Sequence, residues 1–497
     1  MAFAQIPSAI RVPAAYFEFD PSAAQTPSGT QKTLLIGQKV AAGTAVANVP
    51  ILVTSDGDAI AQFGRRSILR HTYLRYAAND PYAEIWALPV DDNGAGVPNA
   101  VVITVLGTAT AAGTLNIRVG DINVPVAVAL GDTQNAIAIL ISTALAADPD
   151  IVVTTAAAVA NAVTVTAAND GTMGNDIVVT VNALGAAGGE VLPAGMTSVI
   201  PVASGAGATN SSLATAITNM ADVEYDFIVS TVNDPTNIAL LETELLDRWD
   251  AMKMVYGHVW FATRAALATQ LALTYDNEHT TNVAHATTAG GVTGSRSPSW
   301  EWAAAYAARC ARSLRDNPAR PIQNLELIGI SAPGTPWTLA EQQQLLMNGS
   351  ATHRVNGAGR ALVGREITTY QTNAAGSPDA SMLDVQTLFS SAYLMRDIKA
   401  TIEGKYGRHI LVDDDALVGP GAPVVKPKTL KAEIVARYRA AEELGIVENI
   451  DAFKELLTVE RDPGNPNRVN VLLPPDLGNQ FRIFAVLMQP RLQFPPG

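Results

Sequence analysis

Side chains that could perform catalysis are scattered along this sequence instead of grouped. Of the 6 histidines, His279 and His285 form the closest pair, and they lie in a polar stretch with no third ligand at a suitable spacing for a metal site. Ser331 lies in GISAPG, which lacks the G-x-S-x-G pattern of a nucleophile elbow. The single cysteine, Cys310, lies in the helical pattern AAAYAARCARSL and is expected to be a packed thiol. The sequence therefore predicts neither a metal site nor an activated nucleophile.

Acidic and glycine-rich motifs indicate no cofactor either. GTQKT, which begins at Gly29, has neither the length nor the Gly-Lys-Ser/Thr ending of a phosphate-binding loop. The run Asp413–Asp415 lacks the alternating oxygen ligands and central glycine of a calcium loop, so a solvated loop is expected. We therefore expect no cofactor and no enzyme activity. An α/β enzyme with a β-rich accessory domain stays open as the alternative, and it predicts a pocket with perturbed titratable groups.

A predicted helix over residues 384–405 combines an apolar arc with charges. At 100° per residue the arc holds Val385, Leu388, Ala392, Met395 and Ile402, and Arg396, Lys399 and Glu403 fall within it. Lys405 and Arg408 extend these cations into a basic patch on an acidic chain. Two interpretations stay open. The cations are the exposed ends of surface side chains with a Lys399–Glu403 pair, or the helix docks on an acidic partner.

Composition narrows the class of protein further. The chain has 497 residues, a net charge of −13 and only 16% charged residues, against about a quarter in ordinary globular proteins. An acidic chain is poorly suited to bind nucleic acid directly. No apolar run approaches the ~20 residues of a membrane span, and the N-terminus lacks a signal-peptide pattern, so we expect no membrane insertion. A weakly charged surface suits contact between identical copies. A soluble protein with large Ala/Thr/Val-rich β regions would have the same composition.

The distribution of aromatic residues predicts the domains. Between Trp86 and Tyr225 there is no aromatic residue, Arg118 is the only basic one, and apolar residues alternate as in strands. We therefore expect residues 96–206 to form an inserted β-rich outer domain. Strands and helices alternate in 21–95 and 207–350, which predicts one discontinuous α/β middle domain. Residues 351–497 are expected to form a C-terminal α+β domain, so the predicted fold class is a multidomain α/β protein.

Three helix starts are predicted from capping residues within this scheme. Asp234 or Asn233 is expected to precede the helix that opens with Pro235, and Thr133 or Asp132 the single helix of the insert. Thr338 and Glu341 have the spacing of a capping box.

Both ends of the chain are extended and apolar on both faces. Residues 1–20 and about 468–494 alternate in a strand-like way but leave no polar face for solvent. Such segments either complete a sheet in their own subunit or add to a sheet of a neighbouring copy, and the sequence alone leaves both open.

Several long stretches carry a resemblance to a known family. They include REITTYQTNAAGSPDASMLDVQTLFSSAYLMRDIKATIEGKYGRHILVDD, VKPKTLKAEIVARYRAAEELGIVENIDAFKELLTVERDPGNPNRVNVLLPPDLGNQFRIFA, EYDFIVS, SWEWAAAYAAR and the opening IPSAIRVPAAYFEFD. The insert contributes GTLNIRVGDINVPVAVALGDT and NDGTMGNDIVV. Together they resemble the tail sheath proteins of Mu-like contractile phages over nearly the whole chain.

The resemblance implies a structural subunit of a virion tail, made and assembled in the bacterial host cytoplasm. Stacked hexameric rings would surround a tail tube, with baseplate and tail terminator proteins as further partners. The sheath would contract by repacking and drive the tube through the host envelope for DNA delivery. A non-contractile virion structural or adhesin protein stays open as an alternative.

The same resemblance assigns roles to individual residues. The arms exchanged between subunits would be Ile6–Asp20 and about Arg468–Phe494. Their apolar contact residues would be Ile6, Ile10, Val12, Tyr16, Phe17, Phe19, Phe481, Ile483, Phe484, Val486 and Met488. A helix of the C-terminal domain would rest on the tube, with Arg396, Lys399, Lys405 and Arg408 as tube-facing candidates.

Overall fold

The computed structural model describes residues 31–286, 294–419 and 421–490. The predicted N-terminal arm, with Ile6, Ile10, Val12, Tyr16, Phe17 and Phe19, lies outside the described residues. No helix in the described part of the chain has the length and apolar character needed to cross a membrane.

The first segment builds one half of an α/β layer structure. Its elements are β1 (Lys32–Gln38), β2 (Ile51–Leu52), α1 (Asp56–Phe63), α2 (Ile68–Asn79) and β3 (Glu84–Val90). Ser55 and Ser67 begin the two helices, since each side chain accepts a hydrogen bond from a backbone N–H of the first turn. β1 pairs in parallel with β3 and is buried almost throughout, as expected of a central strand covered on both faces.

The insert folds around a core of aliphatic side chains. Its elements are β4 (Ala100–Gly107), β5 (Gly113–Val119), β6 (Ile122–Val128), α3 (Gln134–Ala147), β7 (Val153–Thr155), β8 (Ala162–Ala167), β9 (Val179–Val181) and β10 (Met196–Gly205), with two short 3-10 helices at Thr172–Asp176 and Ala186–Gly188. One sheet has the order β10-β4-β8-β7 and the other β6-β5-β9. Thr133 is the N-cap of α3, and its hydroxyl accepts from Ala136 N at 3.3 Å. Every second residue of β5 and β8 is buried, so alternation places the apolar face on the core.

The insert is fastened to the rest of the chain by shared packing and by hydrogen bonds. Trp300 and Ile68, which lie outside the insert, are fully or almost fully buried in its core. Arg66 Nη2 donates to Asp148 O at 2.7 Å and Ala146 O at 3.2 Å, which satisfies carbonyls at the C-terminal end of α3. The two bodies therefore share one continuous packed interface.

The chain then returns to the α/β layer. Its elements are α4 (Ala214–Thr218), β11 (Phe227–Ser230), α5 (Pro235–Arg248), β12 (His258–Ala265), α6 (Leu267–Gln270), β13 (Thr280–Ala286), α7 (Ser299–Asp316), β14 (Glu326–Ser331), α8 (Leu339–Met347), β15 (Ser350–Val355) and β16 (Arg360–Arg365). Asp234 is the N-cap of α5, and Thr338 and Glu341 form the capping box of α8.

Among the described residues these strands form one sheet of nine, the main sheet, in the order β14-β16-β15-β13-β12-β11-β1-β3-β2. It is parallel from β3 through β15, and antiparallel strands complete both edges. Leu35 faces a core shared with α2 and α7, whereas Leu34 and Ile36 face a core shared with α4 and α5. The predicted layered α/β class is confirmed by this arrangement.

The helix α7 is the centre of the larger core. Most of its length is buried, and its alanine-rich surface lets α2 and the sheet approach closely. Cys310 on this helix is fully buried, and burial raises the pKa of its thiol well above the ordinary value.

The main sheet extends past the predicted domain boundary at residue 350. β15 pairs in parallel with β13, and β16 returns antiparallel beside it. Ala351 and Val363 are fully buried in the same core as α7. The predicted hairpin over this stretch is present, but it belongs to the middle layer, because its apolar face fills the gap beside β13.

The C-terminal region is a smaller body. Its elements are α9 (Val385–Tyr406), β17 (Ile410–Leu411), β18 (Val424–Val425), α10 (Pro427–Glu443), β19 (Val447–Glu448), α11 (Ile450–Leu456), β20 (Thr458–Arg461), β21 (Val469–Leu472) and β22 (Asp476–Leu477). Tyr438 of α10 stacks on Phe453 of α11 with ring centroids 3.7 Å apart. Its strands pair only as β17-β18, β19-β22 and β20-β21 within the described chain. This region thus has little sheet of its own.

Candidate assembly surfaces

Arg396 on α9 forms an ion-pair cluster with the middle layer. Its Nη2 lies 2.6 Å from Glu224 Oε1 and 2.6 Å from Asp226 Oδ1, and its guanidinium lies 5.2 Å from the centre of the Tyr256 ring. Burial raises the pKa of Asp226 to about 6, while the Arg396 charge opposes that rise. Asp226 Oδ2 also accepts a hydrogen bond from Lys32 N at 3.1 Å. Arg396 therefore holds α9 against the main sheet at the beginning of β11, which Asp226 directly precedes.

The other three tube-facing candidates are exposed. Lys405 Nζ lies 2.7 Å from Glu433 Oε1 on α10, and the Lys405 side chain is 54% exposed. Lys399 and Arg408 are exposed, and neither makes an ion pair with any residue in the described ranges. The Lys399–Glu403 pair suggested by helical spacing is not formed within those ranges. Contact of these residues with a tube stays a prediction, and Lys399 and Arg408 are the candidates whose charge is uncompensated within the described chain.

The C-terminal segment presents an apolar surface to solvent. Residues 478–490 have no regular secondary structure. The side chains expected to contact other copies are between 68% exposed (Val486) and 79% exposed (Ile483 and Phe484); the set is Phe481, Ile483, Phe484, Val486 and Met488. Isolated exposed apolar residues are ordinary, but a contiguous run marks a binding surface.

The first part of the predicted C-terminal arm belongs to the subunit's own fold. β21 pairs antiparallel with β20, and β22 pairs antiparallel with β19. Gly478 N donates to Ile446 O at 2.9 Å, which continues the second pairing by one residue. The segment that leaves the fold therefore begins near residue 479 and not at residue 468.

Open strand edges lie close to this segment in the sequence. The β20–β21 hairpin pairs with no other strand in the part of the chain that the structure describes. Val471 and Leu472 on it are 45% and 64% exposed. An unpaired edge with exposed apolar side chains is a template for an added strand.

Sequence analysis missed a buried ion pair at the base of the C-terminal segment. Arg482 Nη2 lies 2.6 Å from Glu366 Oε1 and 3.3 Å from Asp384 Oδ1. The Glu366 side chain is fully buried, and the Arg482 side chain is only 10% exposed. The one sequence signal was that Arg482 is the single charged residue in the run FRIFAVLM.

The carboxyl end of β1, where parallel α/β sheets often bind ligands, is hydrogen-bonded to residues of the insert. β1 has β3 on one side and β11 on the other, so the carboxyl end of β1 is a topological switch point. There Gln38 Nε2 donates to Asp92 Oδ1 at 2.6 Å and to Asp170 O at 2.7 Å. Asn169 Nδ2 donates to Lys39 O at 2.9 Å and to Asp92 Oδ1 at 3.0 Å. Asn169 and Asp170 thus join the insert to this end of the main sheet.

The groups considered for catalysis have structural surroundings. His279 is buried and stacks on Trp249 with ring centroids 4.8 Å apart, and burial lowers its pKa to about 4. Ser331 N donates to Ser297 Oγ at 2.8 Å. Asp413 Oδ1 lies 2.9 Å from Arg461 Nη1, which ties the acidic run to the β20–β21 hairpin. Across residues 31–286, 294–419 and 421–490, no three His, Cys, Asp or Glu side chains are grouped to hold a metal ion.

Exposed apolar side chains, and strand edges that are unpaired among the described residues, are features of a subunit that assembles with other chains. The sequence matches the phage tail sheath protein central domain over residues 206–369 and the phage tail sheath C-terminal domain over residues 377–491. It is 34% identical over 493 residues to the Mu-like prophage FluMu tail sheath protein of Haemophilus influenzae, which covers 98% of this chain and 99% of that protein. The chain belongs to the phage tail sheath family.

Two solved structures are similar to this chain at low sequence identity. The crystal structure of a sheath tail protein from Listeria innocua matches with a TM-score of 0.50 and 12% identity, covering 92% of this chain and 94% of that one. One from Desulfitobacterium hafniense matches with a TM-score of 0.49 and 13% identity, covering 94% and 98%. The two matched family segments meet between residues 369 and 377, just after the main sheet ends at β16.

Proposed function

We propose that this chain polymerises as stacked hexameric rings around a tail tube and contracts by repacking, which drives the tube through the host envelope for DNA delivery. Assembly in the bacterial host cytoplasm, with baseplate and tail terminator proteins at the two ends, belongs to the same proposal. The observation that carries it is the exposed apolar segment 481–488 beside strand edges that are unpaired in the described chain. A segment of this kind is suited to strand addition between copies.

The energy of such an assembly is provided by burial of apolar surface. Six large side chains are exposed in the segment: Phe481, Ile483, Phe484, Val486, Leu487 and Met488. At about 1.5–3 kcal/mol for each side chain, their burial is worth roughly 10 kcal/mol or more per subunit before the cost of ordering the segment. A difference of a few kcal/mol per subunit between two packings is sufficient for contraction, because it is summed over the polymer. No nucleotide is required.

We assign four units to the subunit within this proposal. Residues 1–20 are the N-terminal arm, and residues from about 479 form the C-terminal arm. The middle domain comprises 21–95 and 207 to about 370, the insert 96–206 lies on the outside, and the C-terminal domain lies nearest the tube. Lys399 and Arg408 of that domain are suited to meet an acidic tube surface, since their charges are not compensated within the described chain.

The test compares assembly of the full chain with that of two truncated chains. One lacks residues 1–20, and the other ends at Gln480 and carries Glu366→Gln, so that no buried carboxylate is left without its cation. Negative-stain microscopy of the full chain should show ribbed hollow cylinders, and both truncations should abolish them while leaving the subunit folded. Discrete particles from the full chain would favour the enzyme alternative, and fibrous or unassembled material the adhesin alternative. If either truncated chain still forms cylinders that contract, the exchanged-arm mechanism is wrong.

A pair of substitutions controls for a general loss of apolar surface. Phe484→Gln removes one exposed side chain of the segment, and Met252→Gln removes an exposed side chain in the turn after α5, where Met252 is 89% exposed. Only Phe484→Gln should raise the protein concentration at which cylinders form. Equal effects of the two substitutions would show that the segment has no specific role.

A further inference from the structure

Arg482 differs from the residues that surround it in the C-terminal segment. Phe481 and Ile483 are 70% and 79% exposed, whereas the Arg482 side chain is 10% exposed. Gln480 Nε2 also donates to Ala319 O at 3.4 Å, so the segment contacts its own subunit through Gln480 and Arg482 and presents its large apolar side chains outward.

The pocket that receives Arg482 is built from three other parts of the chain. Glu366 follows β16 directly, Asp384 is the N-cap of α9, and Gln386 lies in the first turn of α9. Arg482 Nη2 reaches all three, at 2.6 Å to Glu366 Oε1, 3.3 Å to Asp384 Oδ1 and 3.3 Å to Gln386 Oε1. Glu366 Oε1 also accepts from Ile322 N at 3.2 Å. The anchor therefore joins the C-terminal segment to the seam between the main sheet and the C-terminal body.

The seam has a partly buried charge cluster that depends on Arg482. Arg365 Nη2 lies 3.3 Å from Asp384 Oδ1, on the rim of the same cluster. Glu366 is fully buried, and burial raises its pKa while the Arg482 charge opposes that rise. A buried carboxylate without its cation is strongly unfavourable, so the folded seam retains the arginine.

We propose that Arg482 is a positioning residue that fixes the point and direction at which the C-terminal arm leaves its own subunit toward a second copy. This rests on the proposed exchange of arms. With the pair broken, the nearest attachments are the long hydrogen bond from Gln480 Nε2 to Ala319 O at 3.4 Å and the backbone hydrogen bond from Gly478 N to Ile446 O. The arm then becomes longer and loses its fixed direction, so its effective concentration at the neighbour falls.

The anchor also identifies where force enters the subunit. Tension on the arm is carried by Arg482 to Glu366 at the end of the sheet and to Asp384 at the start of α9. A pull on the arm by the neighbouring copy is thereby transmitted to the seam between two bodies of the arm's own subunit.

The experiment compares Arg482→Gln with the double variant Arg482→Gln/Glu366→Gln. The double variant removes both charges at nearly constant shape, so it folds even if the single variant does not. Arg360→Gln is the matched control, because Arg360 pairs with Glu326 at 2.6 Å with its side chain 62% exposed. In each background Val486→Cys carries a spin label, and the buried thiol of Cys310 does not compete for labelling.

The double variant should keep the melting temperature of the full chain, increase the mobility of the label at residue 486 in the unassembled subunit, and raise the assembly concentration roughly tenfold or more. The control should change neither mobility nor assembly. A double variant with the label mobility and assembly concentration of the unchanged chain would overturn the positioning role. That result is distinct from failure of the proposed function, which would appear as cylinders formed by the chain that ends at Gln480.

Discussion

Replacing Arg396 with alanine should destabilise the subunit in a pH-dependent way. Arg396 joins α9 to Asp226, which is 4% exposed, and to Glu224, which is 42% exposed. Removing the cation leaves the Asp226 carboxylate buried without a partner when it is ionised. The buried contact should dominate the effect, because exposed ion pairs contribute little.

The size of the stability loss follows from the degree of burial and from the pKa of Asp226. At pH 8 the loss should be about 3 kcal/mol, the lower end of the range for breaking a buried pair, since Arg396 itself is 29% exposed. At pH 5 most Asp226 is protonated, because its pKa is raised from 3.8 to about 6. The loss should then fall to about 1 kcal/mol, which is the contact of the guanidinium with the Tyr256 ring.

The same pKa sets the direction in which the stability of the unchanged protein changes with pH. The folded pKa of Asp226 is higher than its ordinary value, so the folded state binds the proton more tightly than the unfolded state does. The contribution of this group to stability is therefore fully present below about pH 4, and it is lost as pH rises through about 6.

Urea unfolding of unassembled subunits, followed by tryptophan fluorescence at pH 5 and pH 8, measures these differences. Lys405→Ala is the matched control on the same helix, since its pair with Glu433 is exposed on the lysine side and should cost less than about 1 kcal/mol at both pH values. Arg396→Ala/Asp226→Asn should recover most of the loss at pH 8. A loss that is equal at both pH values, or absent at pH 8, would refute the assignment of Arg396 to a buried intramolecular pair. A variant defective only in the presence of tube would favour the tube-facing role instead.

Two further predictions concern the insert and a sheet edge. Trp300→Ala should lower the free energy of unfolding by about 3–5 kcal/mol, because Trp300 is fully buried in the insert core. In calorimetry the melting temperatures of the insert and the middle layer should fall together. A separate insert transition at its original temperature would contradict the shared core. Asn79 Oδ1 accepts a hydrogen bond from Ile328 N at 2.8 Å, and Asn79 Nδ2 donates one to Ile328 O at 3.0 Å. Asn79→Ala should therefore expose the edge of β14 and increase aggregation, measured as light scattering on incubation. Unchanged scattering would show that other groups protect this edge.

Local features of the fold were predictable because they depend on near neighbours in sequence. The caps Asp234, Thr133 and Thr338 are found as expected, and the helix predicted at 384–405 spans Val385–Tyr406. Spacing rules are reliable at this range, since capping and helical faces are set within a few residues.

Long-range pairing was not predictable from the same rules. The alternation in β15 and β16 predicts strands, but it does not say to which sheet they add. The sequence predicted Arg396 to be an exposed or tube-facing cation. Helical spacing identifies its neighbours on α9, but it cannot identify Asp226, which lies 170 positions away in the chain. Arg482 and Glu366 are 116 positions apart. The candidate surfaces therefore followed from the family resemblance and the apolar ends, whereas the ion pairs that position them required the three-dimensional structure.

Arg66, which caps the C-terminal end of α3, and Trp300, buried in the core of the insert, join the insert to the middle layer. In the proposed arrangement, where the insert lies on the outside, any rotation of a subunit about the tube axis would move the insert through an arc that grows with its distance from the axis. Small angular changes near the tube would therefore become large displacements at the periphery. Fluorophores placed on the insert would report contraction with more sensitivity than fluorophores placed near α9.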